Sequence, residues 1–113
     1  MVGKEYSPER GDLVWLDFDP QLGREQAGRR PAVVLSPGFY NSISALAWIC
    51  PITSKVKGYP FEVLLPKNAP IQGVVLTDQL RSLDYQQRRI EFVGRIAHDL
   101  CDQIRAKARR LLE

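Results

Sequence analysis

Asp12-Leu13-Val14-Trp15-Leu16-Asp17-Phe18 is rich in aromatic and β-branched residues and is bounded by Gly11 and the turn pair Asp19-Pro20, which reads as a β-strand. Side chains alternate along an extended chain, so Leu13 and Trp15 share one face while Val14, Leu16 and Phe18 share the other. A half-solvated sheet keeps one face polar. A strand that is apolar on both faces belongs in a closed barrel or beneath a cover.

Downstream, Pro31 opens a second strand, Ala32-Val33-Val34-Leu35, stopped by Ser36-Pro37-Gly38; the first residue of a strand is one of the few places that tolerate proline. Tyr40-Asn41-Ser42 reads as a turn and residues 45–50 as a third strand ended by Pro51. Residues 53–58 form a polar loop, 61–65 a fourth strand, 74–76 a fifth and 90–93 a sixth with Gly94 at its exit. The tail differs: Leu100, Ile104, Ala108 and Leu111 recur at helical spacing across residues 98–112. Asp99 and Asp102 sit in its first turns and Arg105, Lys107, Arg109 and Arg110 near its end, which complements the helix dipole. Strands first and one amphipathic helix last predict a mainly β (α+β) fold, a small β-barrel capped by a C-terminal helix.

Composition sets the outer limits. A chain of 113 residues is expected to be a single domain spanning 1–113. With 44% apolar and 26% charged residues it is neither disordered, collagen-like nor a coiled coil. Sixteen Lys and Arg against 13 Asp and Glu give a net charge of +3, which suits an acidic partner without requiring one. No apolar run approaches a membrane span, and Met1-Val2-Gly3-Lys4-Glu5-Tyr6 lacks a signal-peptide core, so a soluble cytoplasmic protein is expected. Cys50 and Cys101 are expected to be reduced core residues. A single histidine, His98, cannot build a His/Cys metal cluster and serves poorly for a Ser-His-Asp triad. No metal and no cofactor are expected.

Candidate chemistry concentrates between the first two strands. Gly23-Arg24-Glu25-Gln26-Ala27-Gly28-Arg29-Arg30 carries three arginines and a glutamate in a loop near the upper limit of ordinary length. Arginine grips phosphate oxygens with a planar fork and keeps its charge at any working pH. Arg30, anchored where the loop meets the strand, is the best placed of the three and Arg24 the least. Asp17 and Asp19 form a D-x-D pair able to hold Mg²⁺, but Asp17 alternates with apolar residues and Asp19 precedes a proline as a turn former. Glu25 could act as a general base, kept ionised by its cationic neighbours. Thr53, in Pro51-Ile52-Thr53-Ser54, could donate to a phosphoryl oxygen. The tail arginines and lysine are accounted for by the dipole as a solvated helix face. Glutamate, arginine and threonine together suit one reaction. RNA carries its own nucleophile, the 2′-OH, so a base, a cation and an acid suffice to cleave it.

Gly11 to Pro20, followed by Gly23-Arg24-Glu25-Gln26-Ala27-Gly28-Arg29-Arg30-Pro31-Ala32-Val33-Val34-Leu35-Ser36, resembles the opening blocks of the MazF/PemK family of toxin endoribonucleases. Pro51-Ile52-Thr53-Ser54, Lys57-Gly58-Tyr59-Pro60-Phe61-Glu62 and Leu76-Thr77-Asp78-Gln79-Leu80-Arg81-Ser82 resemble its later blocks in order and spacing. The resemblance implies a homodimer of SH3-like barrels acting as a sequence-specific, metal-independent endoribonuclease on single-stranded mRNA. Products would be 2′,3′-cyclic phosphate and 5′-OH ends, and the consequence would be arrested translation and growth. It implies Arg30 and Thr53 as the catalytic pair, with Glu25 as base in some members. Substrate contacts are expected from Arg29, Gln26, Ser54, Lys57, Gln79 and Arg81, with Lys55 as a further guess. It also implies a cognate antitoxin whose acidic, disordered C-terminal segment folds on the toxin. Some members carry histidine where this chain has Arg29, which removes an imidazole from that point. Two other readings compete: a toxin of the same fold that poisons DNA gyrase by protein contact, and a non-catalytic SH3-like RNA-binding module. Gyrase poisons of this kind rely on an aromatic-containing C-terminal end, whereas this chain ends Arg109-Arg110-Leu111-Leu112-Glu113.

Overall fold

A computed structural model describes residues 6–18 and 28–113. The order is β1 (Asp12–Asp17), β2 (Arg29–Val34), α1 (Gly38–Ser44), β3 (Leu46–Thr53), β4 (Glu62–Leu64), β5 (Val74–Leu76), a 3-10 turn (Thr77–Gln79), β6 (Arg81–Asp84), β7 (Glu91–Arg95) and α2 (His98–Arg110). Among the described residues the strands join antiparallel in the order β4-β5-β3-β2-β1-β7, with β6 also paired to β3 and the ladder open between β4 and β7.

The two-faced apolar pattern of β1 is met by cover on both sides. Leu13 joins Val33, Cys50, Ile52 and Val75 in one core, which α2 closes with Cys101, Ile104 and Ala108. Val14, Leu16 and Phe18 join Ala32, Val34, Ile49, Leu83 and Tyr85 in a second. The alternation of β2 divides the same way, Val33 to the first core and Ala32 and Val34 to the second. Cys50 and Cys101 are buried free thiols, as expected, and burial pushes the Cys50 thiol up to about 12.

Three local expectations differ from what forms. Residues 38–44 are helical where a turn is expected. Phe39 and Ile43 of this helix point to solvent, so it shows no apolar stripe. It is held by a polar side chain instead: buried Asn41 donates through Nδ2 to the Pro8 and Ser36 carbonyls and accepts from the Ser36 hydroxyl. Strand β3 runs through Pro51 to Thr53. On the side away from β2 its partner changes from β6, whose pairing ends at Ile49, to β5, whose pairing starts at Ile52. Pro51 falls in that gap, where no N–H is required. Strand β6 has one fully apolar residue, Leu83, and exists through its pairing with β3.

Candidate active site

The site begins with a register. β2 and β3 pair antiparallel as Ala32↔Pro51, Val33↔Cys50 and Val34↔Ile49. That pairing ends at Ala32↔Pro51; Arg30 and Thr53 each lie two residues beyond it, where β3 pairs with β5, and the two line different cavities. Both belong to their strands, Arg30 near the start of β2 and Thr53 at the end of β3, so each is held by a ladder and not by a loop.

Thr53 is itself fixed from the other side by β5, opposite Val74. The preceding residue, Gly73, has φ +124, and a Cβ there would lie 2.2 Å from the Thr53 carbonyl oxygen. Only glycine allows so close a backbone approach. The Thr53 side chain is buried, and its Oγ1 accepts from the Lys55 N–H at 3.2 Å. A hydroxyl that accepts in this way can also donate one hydrogen bond.

A cavity of about 370 Å³ opens on Thr53 and is lined also by Lys55, Lys57, Tyr59, Phe61, Glu62, Leu76, Asp78 and Gln79. A second, of about 400 Å³, is lined by Arg29, Arg30 and Ser54 together with Trp15, Ile52 and Gln72. Thr53 sits between Ile52 and Ser54 in sequence, so the two cavities flank one strand end. The structure thus brings Thr53, Lys55, Lys57 and Gln79 together, and Arg29, Arg30 and Ser54 beside them. Arg81 lines neither: it lies on β6 with its guanidinium 5.7 Å from the centroid of the Phe18 ring. Glu25 and Gln26, like Arg24 and Asp19, lie outside the described residues.

Arg29 is heavily engaged. Its guanidinium donates to Asp17 Oδ1 at 3.1 Å, to the Arg89 carbonyl at 2.8 Å and to Glu91 Oε1 at 3.2 Å. Asp17 also accepts from Arg89 Nε at 2.7 Å. The Arg89 hydrogen bond, followed by that of Arg29, holds the Asp17 carboxyl below its ordinary range against a partial loss of solvent. Asp17 is therefore occupied by guanidinium groups. Among the described residues no three of His, Cys, Asp and Glu come together in a group able to hold a metal ion.

Two carboxylates at the Thr53 cavity, Glu62 and Asp78, are not marked out by the sequence. Glu62 accepts from the Lys57 and Gly58 N–H groups and so shapes the loop that carries both lysines. Asp78 lines the same cavity, and partial desolvation, with the Glu62 charge, pushes its carboxyl up against a hydrogen bond from its own backbone N–H. Both fall within blocks that carry the family resemblance, and their place beside Thr53 depends on β4 and β5 folding back along β3.

Residues 9–112 match the family described as PemK-like, MazF-like toxin of type II toxin-antitoxin system. The chain is 45% identical over 107 residues to the endoribonuclease toxin MazF of Escherichia coli, covering 95% of this chain and 96% of that one. It superposes on the crystal structure of MazF from Deinococcus radiodurans with TM-score 0.91 and 51% identity, covering 96% of this chain and 98% of the other. It also superposes on MazF in a MazE–MazF crystal structure from the same organism, with TM-score 0.86 and 51% identity over 96% and 97% of the two chains.

Proposed function

The chain belongs to the PemK-like, MazF-like family of type II toxin–antitoxin toxins, and we propose that it cleaves single-stranded RNA with Arg30 and Thr53, using the substrate's own 2′-OH as nucleophile. What supports this reading is that Arg30, near the start of β2, and Thr53, at the end of β3, lie just beyond the β2–β3 pairing and line adjoining cavities that also hold two lysines and Ser54. The 2′-OH gives its proton to a base, the role of Glu25, and its oxygen bonds to phosphorus. The bond from phosphorus to the 5′ oxygen breaks, and that oxygen takes up a proton. One product ends in a 2′,3′-cyclic phosphate and the other in a 5′-OH. Arg30 bears the charge gathered on the phosphorane oxygens and Thr53 donates to one of them. Base, cation and donor supply what the reaction needs, so it runs without a metal ion.

Lys55, Lys57, Ser54 and Gln79 line the path of the strand beyond the scissile bond, and Gln26 of the loop completes it. Arg29 steadies the start of β2 through Asp17 and Glu91. The same basic lining suits the acidic, disordered C-terminal segment of a cognate antitoxin, which would close the RNA path by occupying it. The protein acts in the cytoplasm as a homodimer of single-domain chains spanning 1–113, cutting mRNA at a defined sequence and so stopping translation and growth.

The test is cleavage of single-stranded RNA in excess EDTA, with end-group analysis of the products. Cyclic-phosphate and 5′-OH ends are expected, and 2′-deoxy substitution at the scissile nucleotide abolishes the cut. Arg30→Ala and Thr53→Ala each lower the rate by roughly 10²–10³-fold, the worth of one charge-stabilising donor. Full activity in both variants overturns the assignment, and inhibition of gyrase supercoiling with RNA left intact overturns the reaction itself.

A further inference from the structure

Arg89 stands at φ +52 in the turn between β6 and β7, a left-handed conformation that glycine adopts freely and other residues at a cost. The side chain that occupies it grips Asp17 with two nitrogens, Nε to Oδ2 at 2.7 Å and Nη2 to Oδ1 at 3.2 Å. Its backbone carbonyl accepts from Arg29 Nη2 at 2.8 Å. One turn residue therefore holds both members of the last β1–β2 pair, Asp17↔Arg29. Its neighbour adds to the hold, the Asp17 N–H donating to the Arg88 carbonyl at 2.9 Å. Yet the Arg89 side chain is 72% exposed, and an exposed ion pair lends little stability. Backbone strain kept for so weak a stabiliser serves placement.

What it places is the entry to the site. The Phe18 N–H donates to the Gly28 carbonyl at 2.8 Å, and the chain between those two residues carries Glu25. Arg30 lies one pair further in, opposite Leu16, and lines the same cavity as Arg29. The ends of a ladder open most easily, so a clasp on the last pair steadies the pair behind it. We propose that Arg89 is a positioning residue for cleavage: by clasping Asp17 and Arg29 at the mouth of the β1–β2 pairing, it holds Arg30 and the root of the segment bearing Glu25 in register. The inference rests on the ribonuclease reading and deepens it. Arg89 itself touches neither phosphate nor base; it acts through Asp17 and Arg29.

Arg89→Gly separates placement from folding, because it removes the guanidinium, keeps the carbonyl that Arg29 uses and relieves the left-handed strain. On a short single-stranded RNA, kcat and KM are measured at several salt concentrations for wild type, Arg89→Gly, Asp17→Asn and the double variant. Arg89→Gly is expected to keep a Tm near that of wild type and to lose about ten- to a hundredfold in kcat, the cost of a displaced catalytic group, with KM and its salt dependence unchanged. Asp17→Asn loses a similar factor, and the double variant is no slower than the slower single one, since both break one contact. Followed by NMR, the Asp17 carboxyl of Arg89→Gly titrates closer to 3.8 than that of wild type. Wild-type kcat in Arg89→Gly overturns the proposal. So does a raised KM with a shallower salt slope, the mark of a phosphate contact, or losses that multiply in the double variant. Each of these leaves the nuclease reading standing. If wild type cuts no RNA at all, both fall together.

Discussion

Arg29 and Arg30 are neighbours of one chemical type with different employment, and the strand period explains it. Successive side chains leave β2 on opposite faces. Arg29 meets Asp17 and Glu91, while Arg30, the next residue along β2, leaves the strand on the opposite face. The sequence shows both as cations at a loop–strand junction. It cannot show that Arg29 is bound to the Arg89 carbonyl and to Glu91, because those partners lie 60 and 62 residues away. Asp17 is the hub of that cluster, and its titration gives a direct readout. Its folded pKa is depressed, so the folded state holds its proton less tightly than the unfolded chain does, whose reference value is 3.8. The stabilisation it lends is therefore complete above that value and drains away as pH falls through 3.8 and below. Asp17→Asn is expected to lower Tm at neutral pH and to lose less stability than wild type on acidification past that value. Parallel acid limbs for the two proteins in a series of thermal melts contradict the account.

At the level of elements, β3 acts as the spine of the site: it meets β2 on one side and β6, then β5, on the other, and it ends at Thr53. The approach of Gly73 to the Thr53 carbonyl locks that end in place, with 2.2 Å available where a Cβ would go and a φ of +124. Gly73→Ala has to move backbone against backbone. Its cost combines left-handed strain, on the order of 1–3 kcal/mol, with displacement of the Thr53 hydroxyl proposed to act on the phosphate, so both Tm and cleavage rate are expected to fall, the rate at least tenfold. Gly58 supplies the comparison: its φ is +79 with nothing within 4 Å, so Gly58→Ala carries strain without a clash. Equal losses in the two variants would show that the close approach does not matter. Much of this framework is legible in the sequence. The β1 pattern announces cover on both faces, the proline-led β2 places Arg30, and helical spacing gives α2 almost to its end. What is not legible depends on distant partners. Helix α1 rests on Asn41 and on Tyr85, whose hydroxyl donates to the Asn41 carbonyl at 3.0 Å from 44 residues away. The extension of β3 past Pro51 depends on which strand lies alongside. Asp78 and Glu62 become parts of a site only after β4 and β5 fold beside Thr53.

For the molecule as a whole, the unexplained feature is its apolar surface. Phe39, Ile43, Trp48 and Leu112 are 73%, 84%, 41% and 79% exposed. A groove of about 400 Å³ runs between β3 and α2, lined by Leu35, Trp48, Leu80, Ala108 and Leu112, with Asp102, Arg105 and Arg109 at its charged rim. Large aromatic and aliphatic groups on a solvated surface mark a face that another protein covers. An apolar centre inside a rim carrying both signs of charge suits a two-fold contact between copies, since each rim can meet the opposite charge of the other. The groove lies at α2 and the start of β3, whereas the candidate site lies at the far end of β3, so self-association leaves Arg30 and Thr53 open to RNA. Trp48 is the substitution of choice. Its ring is exposed, its Nε1 donates to the Tyr40 hydroxyl at 3.3 Å, and its removal leaves both cores intact. Sedimentation equilibrium is expected to give a dimer for wild type at micromolar concentration. Trp48→Arg, which sets an unpaired charge at the centre of the contact, weakens that dimer by at least a hundredfold while far-UV circular dichroism stays native. A monomeric wild type, or a Trp48→Arg protein that dimerises as before, would remove this face from the assembly.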